Sequence, residues 1–140
     1  MNSLLATTAA ITLALIGVGN THPAATTEPD QQAVTAVRLI NTAEANIHRE
    51  KARYVAFPEL ASSGALKKAA EMNSAFASVL ADLDLQNGVP MRGFDLTIIV
   101  SSDGGAYKLS LAAKEDCGVA FFSDQRGIIY NGKAIGCSGS

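Results

Sequence analysis

The chain has 140 residues, a formal net charge of −2 and no Trp. Its 11 Lys and Arg residues are scattered, with Lys67-Lys68 the only adjacent pair, which excludes the basic patch or stripe typical of nucleic-acid-binding proteins. Without a leader, roughly 115 to 120 residues would remain, enough for one domain with one core. We therefore predict a single small domain that does not bind nucleic acid.

The N-terminus has a pattern typical of export. Leu4 to Val18 form an uncharged apolar run, and small residues suited to signal-peptide cleavage follow it. The run is shorter than the roughly 20 residues that span a bilayer. We predict a signal peptide over residues 1–25 and an exported protein, located outside the cell, on its surface or in the periplasm. An uncleaved N-terminal anchor is the alternative, and it would be the only contact with a membrane.

Two cysteines, Cys117 and Cys137, lie in the last quarter of the chain. In an oxidising compartment a disulfide between them is the leading interpretation, and closing a loop of that length would stabilise the fold by about 3 kcal/mol. Two free thiols in a cytosolic protein are the alternative. A structural zinc site would need four ligands at short paired spacings, so we predict no metal and no other cofactor.

Residues 26–31 are predicted to form a linker, because Pro29 should interrupt a helix and no apolar period occurs there. Gln32 to Arg53 contains neither Gly nor Pro and repeats apolar residues every three or four positions, which predicts an amphipathic helix. Asp30 is its candidate N-cap, and Phe57-Pro58 should end it. The apolar stripe consists of Ala36, Val37, Ile40, Ala43 and Ile47. The residues predicted to point away from it are Arg38, Asn41, Thr42, Asn46 and Arg49.

A second helix is predicted over Ala65 to Leu83, capped by Ser62 or Ser63 and stopped by Asn87-Gly88. Its expected apolar side is Ala65, Ala69, Met72, Phe76, Leu80 and Leu83.

From Phe94 onward the apolar period becomes two, which indicates strands. The four predicted strands are Phe94 to Val100, Tyr107 to Leu111, Gly118 to Ser123 and Ile128 to Tyr130. Loops this short allow only antiparallel pairing. Gly127 and Gly132 are predicted turn glycines with positive φ, the latter in an Asn131-Gly132 hairpin turn. The fold class is α+β, with an N-terminal helix packed on a four-stranded antiparallel meander and an additional inserted helix. This globular domain covers residues 32–140.

Candidate catalytic residues are few. Catalysis by His48 would need a nucleophile and an orienting acid nearby, and the simpler interpretation is a surface or partly packed side chain. Ser101-Ser102-Asp103 is typical of a turn, and no Gly-x-Ser-x-Gly elbow occurs. Glu44 lies near the apolar stripe, where an isolated carboxylate is costly. We expect it to be hydrogen-bonded to the backbone or to a Tyr hydroxyl, with a functional role as the alternative. No residue is predicted to be catalytic.

Two acidic pairs and one aromatic pair remain as candidate binding residues. Glu115-Asp116 and Asp82 with Asp84 could suggest calcium, but neither pair has the regular ligand positions of an EF-hand, and solvated loops are the simpler interpretation. Adjacent strand residues point to opposite faces, so one of Phe121 and Phe122 should be in the core. The other would be exposed as a possible contact surface.

Residues Ala36 to Leu60 resemble the start of the globular domain in type IV pilin-like proteins. In those proteins a helix with an Asn-Thr-Ala-Glu stretch leads through a short turn to a Tyr and then to a Leu that docks on the sheet. The matching residues here are Asn41 to Glu44, Tyr54 and Leu60. Later segments of the chain resemble later parts of the pilin-like domain in the same order, and the similarity covers about half of the chain. Those segments are Ala106 to Leu111, which resembles the central strand, and Phe121 to Asp124 with Gly127 to Tyr130, which resemble the last hairpin.

The chain also departs from the pilin pattern. Pilins have a processing site with Gly before Phe or Met, and an apolar helix with an early Glu that continues into the globular domain. This sequence has no such junction and no such Glu, and the predicted linker separates its apolar run from the first helix. The resemblance therefore implies the fold of the globular half rather than assembly through bundled N-terminal helices.

The resemblance implies an exported, non-enzymatic structural protein, a pilin-like subunit of a cell-surface or filament assembly. Its partners would be copies of itself or other envelope proteins. One alternative is a secreted or periplasmic binding or inhibitor module with the same fold, which a groove between the second helix and the sheet would favour. The other is a small exported enzyme, which would require Ser, His and carboxylate groups within hydrogen-bond reach.

Overall fold

The computed structural model describes residues 28–83 and 91–133. Within these ranges the chain forms helices first and strands second, which confirms the predicted α+β class. The helices are α1 (Glu28–Lys51), α2 (Phe57–Ser62), α3 (Ala65–Glu71) and α4 (Ser74–Asp82). The strands are β1 (Phe94–Val100), β2 (Tyr107–Ala113), β3 (Val119–Asp124) and β4 (Tyr130–Lys133). The predicted signal peptide or anchor, the Asn87-Gly88 stop and Cys137 lie outside the described residues.

Helix α1 begins at Glu28, inside the stretch predicted as a linker, so the predicted start at Gln32 and the Asp30 cap were wrong. Pro29 is tolerated because the first-turn N–H groups of a helix have no intrahelical acceptor. The helix ends at Lys51, before the predicted Arg53, and its last turn is basic, which suits the negative end of the helix dipole. Ala52 follows with a φ of 55°.

The predicted apolar stripe of α1 is confirmed: its five members are at most 2% exposed. Leu39, outside that stripe, is also fully buried, because α1 has neighbours on two sides. It packs against β2 and β3 on one side and against α3 and α4 on the other. Fully burying a Leu or Ile side chain contributes about 1.5–3 kcal/mol, so this helix is the centre of the core.

The single helix predicted over Ala65–Leu83 is wrong, because the chain folds there into α3 and α4. Asn73 separates them: its backbone is extended, and its side chain accepts a hydrogen bond from Ala75 N–H at 2.9 Å. An Asn in this position caps a new helix rather than extending the previous one. The break leaves Met72, predicted to be apolar-facing, 75% exposed. The N-cap position of α3 is Gly64, with a φ of 77°, rather than Ser62 or Ser63, although Ser63 Oγ accepts a hydrogen bond from Ala65 N–H at 3.2 Å.

The strands form one sheet in the order β1-β2-β3-β4 with antiparallel pairing, as predicted. Leu96, Leu111 and Phe121 lie side by side on the inner face, which α1 covers. On the outer face, Ser110 lies beside Phe122, and Phe122 lies beside Tyr130. One side of the sheet therefore belongs to the core and the other is a separate surface.

The predicted turn at Asn131-Gly132 was wrong. Both residues belong to β4, where they pair with Phe121 and Ala120. The hairpin turn lies earlier, at Asp124 to Gly127, and Gly127 has the predicted positive φ, 73°. An Asn-Gly pair directs a tight turn when strands flank it on both sides, and here the earlier turn has already reversed the chain.

Candidate functional site

A buried carboxylate lies between α1 and the segment that follows it. Glu44 is 0% exposed, and its Oε2 accepts a hydrogen bond from Val55 N–H at 3.2 Å. Its Oε1 is buried without a hydrogen-bond partner. Burial raises the pKa of Glu44 from 4.5 to about 7, the Val55 hydrogen bond opposes this increase, and the charge of Glu59 adds to it. The predicted backbone hydrogen bond is confirmed, although only one carboxylate oxygen is satisfied.

One turn earlier on α1, Asn41 connects the helix to two strands. Tyr107 Oη of β2 donates to Asn41 Oδ1 at 2.8 Å, and Asn41 Nδ2 donates to Ser123 Oγ of β3 at 2.8 Å. Ser123 Oγ then donates to the Ile128 carbonyl at 2.9 Å. Asn41 was predicted to point away from the core, and that prediction was wrong. A partly buried chain of satisfied hydrogen bonds fixes the position of a helix on a sheet.

The Tyr107 hydroxyl is also a poor acid. Burial raises its pKa well above the ordinary value, and the nearby charge of Glu44 raises it further. Its proton is therefore held in the hydrogen bond to Asn41 and is not available for transfer near neutral pH.

His48 is half-buried and stacks on Tyr54, with ring centroids 4.3 Å apart. Tyr54 in turn lies against Tyr107 at 4.9 Å. The interpretation of His48 as a partly packed side chain is confirmed. Among the described hydrogen bonds, the serine of this cluster, Ser123, pairs with Asn41 and a carbonyl rather than with His48. The cluster therefore orients α1 and does not form a nucleophile–base pair.

A groove runs along the exposed side of α1, with a volume of about 520 Å³. It is bounded by Met72 and Phe76 on one side and by Gly127 of the β3–β4 turn on the other. Arg38 and Arg49 are the charged groups among the residues that line it. Thr42, Ala45 and Asn46 complete its floor together with Asn41. The volume lies in the range of ligand sites, but the groove is shallow and open to solvent, and it runs beside α1 between Met72 with Phe76 and the β3–β4 turn.

The outer face of the sheet exposes large apolar side chains. Phe122 is 45% exposed and its cross-strand neighbour Tyr130 is 51% exposed, whereas Phe121 is only 1% exposed. The prediction that one of the two Phe residues is core and the other exposed is confirmed. Ile128 and, on β1, Ile99 are exposed as well, at 48% and 63%. We define Phe122 and Tyr130 as the outer aromatic pair.

The remaining candidates lie in turns and loops. Ser101 Oγ donates to Asp103 Oδ1 at 2.6 Å, and Asp103 Oδ1 also accepts from Gly105 N–H at 2.9 Å, so this is turn chemistry as predicted. Glu115, Asp116 and Asp82 are exposed, and Asp84 lies outside the described residues. The described residues contain no group of three or more His, Cys, Asp or Glu that could hold a metal ion.

Only one cysteine of the predicted disulfide, Cys117, lies within the described residues. Cys117 is exposed with a φ of 62°, and the described residues contain no free cysteine. Cys137 lies outside the described residues, so the Cys117–Cys137 pair stays a prediction.

Sequence reasoning missed the roles of Asn41, Tyr107 and Ser123. The signal that could have found them is register: Tyr107 and Ser123 fall on the same face as Leu109 and Phe121, so their hydroxyls enter the core and need partners. Asn41 lies one helical turn before Glu44, on the side of α1 that faces the sheet, so its amide supplies hydrogen-bond partners for both hydroxyls.

The fold is thus an α+β domain in which one helix lies between a four-stranded antiparallel meander and a layer of short helices. The chain matches no protein-family model, no curated protein and no solved structure. In the described ranges no helix is both long and apolar enough to cross a membrane.

Proposed function

We propose that the protein is an exported, non-enzymatic structural subunit that assembles with copies of itself or with other envelope proteins. The observation that supports this most is the outer aromatic pair. Phe122 and Tyr130 lie side by side on a sheet face opposite to α1, and each keeps about half of its surface exposed. Exposed aromatic side chains are typical centres of protein–protein contacts.

The rigidity of the domain supports the same proposal. The hydrogen bonds through Asn41 fix α1 on the sheet, and the backbone bond from Tyr54 N–H to the Gly104 carbonyl at 2.9 Å joins the segment after α1 to the β1–β2 turn. A surface that is already ordered loses little entropy on association. The resemblance to pilin-like globular domains points in the same direction, as does the predicted signal peptide.

A double variant, Phe122→Ser with Tyr130→Ser, tests the contact. The exported protein is compared with the wild type by electron microscopy and sedimentation over a range of concentrations. We expect assemblies of the wild type and a loss of assembly on the order of tenfold in the variant. Phe122→Leu is the matched control, because it keeps apolar area at the same position and should assemble. Assembly of the double variant at the wild-type level would contradict a role for this face.

The groove favours a second candidate function, an exported binding or inhibitor module. Its volume of about 520 Å³ suits a peptide or a small molecule, and its lining combines cationic, amide and apolar groups. A wild-type protein that stays monomeric but binds a peptide in the groove would favour this function over assembly.

A further inference from the structure

The groove along α1 has one sign of charge. Arg38 and Arg49 are eleven residues apart, which is three helical turns, so both project from the same face and lie about 16 Å apart along the axis. Arg38 forms no ion pair within the described residues, and the described polar partner of Arg49 is a neutral one, Asn46 Oδ1 at 3.3 Å. The two guanidinium groups are therefore free to bind an anionic partner.

Two acidic groups near the groove are already neutralised, and a third, Glu71 next to Met72 in sequence, does not line it. Asp124, at the start of the turn that contains Gly127, pairs with Arg126 at 2.7 Å. Glu50, next to Arg49 in sequence, pairs with Lys68 at 2.7 Å. The groove thus keeps its positive charge although the whole chain is slightly negative.

The β2–β3 loop carries negative charge, opposite in sign to the groove. Glu115 and Asp116 are exposed, and neither carboxylate forms an ion pair within the part of the chain that the structure describes. Lys114, the neighbouring cation, is engaged by Asp95 at 3.3 Å. This loop therefore presents two adjacent unpaired carboxylates.

The groove and the acidic loop lie at opposite ends of the sheet. The loop follows the last residue pair of β2 and β3, Ala112 with Ala120, whereas the turn with Gly127 follows Asp124, which pairs with Lys108. Strand β3 separates them by about 17 Å. The loop cannot reach the groove of its own molecule, but it can enter the groove of a second copy placed end to end.

We infer that the groove beside α1 receives the acidic β2–β3 loop of a second copy of this chain. Arg38 and Arg49 bind the Glu115 and Asp116 carboxylates, and Met72 with Phe76 forms the wall of the groove beside the inserted loop. A mixed lining of this kind suits a polypeptide loop better than a lone anion. Because the two surfaces differ, a pair of copies joined in this way still has one free groove and one free loop, so the contact is head-to-tail and repeats in an open chain.

The inference rests on the proposed assembly function and adds an axial contact to the lateral contact of the outer aromatic pair. Exposed ion pairs are individually weak and are screened by salt. We expect the association constant to fall on the order of tenfold when ionic strength rises from about 0.05 M to about 0.5 M.

Two charge-reversal variants of the full exported chain test this contact by sedimentation velocity. The groove variant carries Arg38→Glu and Arg49→Glu, and the loop variant carries Glu115→Lys and Asp116→Lys. Each should lose the salt-sensitive association. An equimolar mixture should regain the association, because the intact loop of one variant meets the intact groove of the other and the reversed loop meets the reversed groove with complementary charge. The matched control is Lys67→Glu with Arg92→Glu, which reverses two exposed cations outside the groove and should associate like the wild type. Circular dichroism checks that each variant is folded, and Arg38→Gln with Arg49→Gln serves if the reversed groove variant is not.

Each outcome decides between the hypotheses. Association of the wild type that neither variant reduces would refute the groove–loop contact and leave the assembly function standing. Loss in both variants without recovery of association on mixing would refute the head-to-tail pairing. A wild type that stays monomeric at low salt and high concentration would refute the assembly function itself, and binding of an acidic peptide by that monomer would favour the binding module.

Discussion

Replacing the buried carboxylate of Glu44 by an amide should change how stability depends on pH. Glu44 is fully buried, and one of its oxygens has no hydrogen-bond partner. Glu44→Gln keeps the shape and the hydrogen bond from Val55 N–H while removing the ionisation. The variant therefore isolates the cost of placing a charge at this position.

The size and sign follow from the pKa. Burial raises the pKa of Glu44 from 4.5 to about 7 in the folded protein. Between these two values the folded protein holds a proton that the unfolded chain has released, so the free energy of unfolding falls as pH rises. The contribution is fully present below about pH 4.5 and is lost once the pH passes the folded pKa. A tenfold change in proton affinity is worth about 1.4 kcal/mol, so the total loss is about 3 kcal/mol.

Urea unfolding of the wild type and of Glu44→Gln at pH 4.5, 6, 7 and 8 measures this loss. We expect the variant to gain about 3 kcal/mol relative to the wild type between pH 4.5 and 8, since the other titrating groups are common to both proteins. The matched control is Glu50→Gln, whose exposed carboxyl has its pKa lowered from 4.5 by the hydrogen bond from Lys68. Its contribution is lost only as pH falls below about 4.5, so this variant should show almost no change relative to the wild type between pH 6 and 8. Parallel stability curves for wild type and Glu44→Gln would refute the reasoning.

Three further substitutions test the backbone and the polar contacts around α1. Ala52→Gly should stabilise the protein by about 1 kcal/mol in urea unfolding, because Ala52 has a φ of 55° just after the helix; unchanged stability would contradict strain there. Gly104→Ala should destabilise by about 1–3 kcal/mol, since its φ is 69° and a Cβ would lie 2.9 Å from Arg53 Cβ; an unchanged melting temperature would contradict that contact. Tyr107→Phe should cost about 1–3 kcal/mol by leaving Asn41 Oδ1 without its donor, and a neutral result would show that this bond is not needed.

The sequence predicted the elements whose period is strong and uninterrupted. Ile40 and Ile47 repeat on one face of α1, and the alternation from Phe94 to Val100 gives β1 with the predicted bounds. Such patterns are fixed by the burial of apolar side chains, which is the dominant driving force of folding. Predictions from such patterns fail where a local side-chain hydrogen bond to the backbone outweighs the apolar pattern. Asn73 interrupts a continuous apolar period because its side chain caps the helix that follows it.

The candidate surfaces were predictable only in part. Strand alternation alone indicated that one of Phe121 and Phe122 is exposed, but the position of Tyr130 beside Phe122 required the register of β4. The Asn131-Gly132 pair indicated the wrong register, since it predicted a turn where the strand continues. The groove could not be predicted from the sequence. It is lined by residues of α1 together with Met72 and Gly127, and only tertiary packing brings these residues together.

Self-assembly is tested most directly by sedimentation velocity of the exported wild-type protein at low ionic strength over a wide range of concentrations. A subunit with an exposed aromatic pair and complementary ends should show a sedimentation coefficient that rises continuously with concentration, together with elongated particles in the electron microscope. A single monomeric species at every concentration would contradict the proposed function.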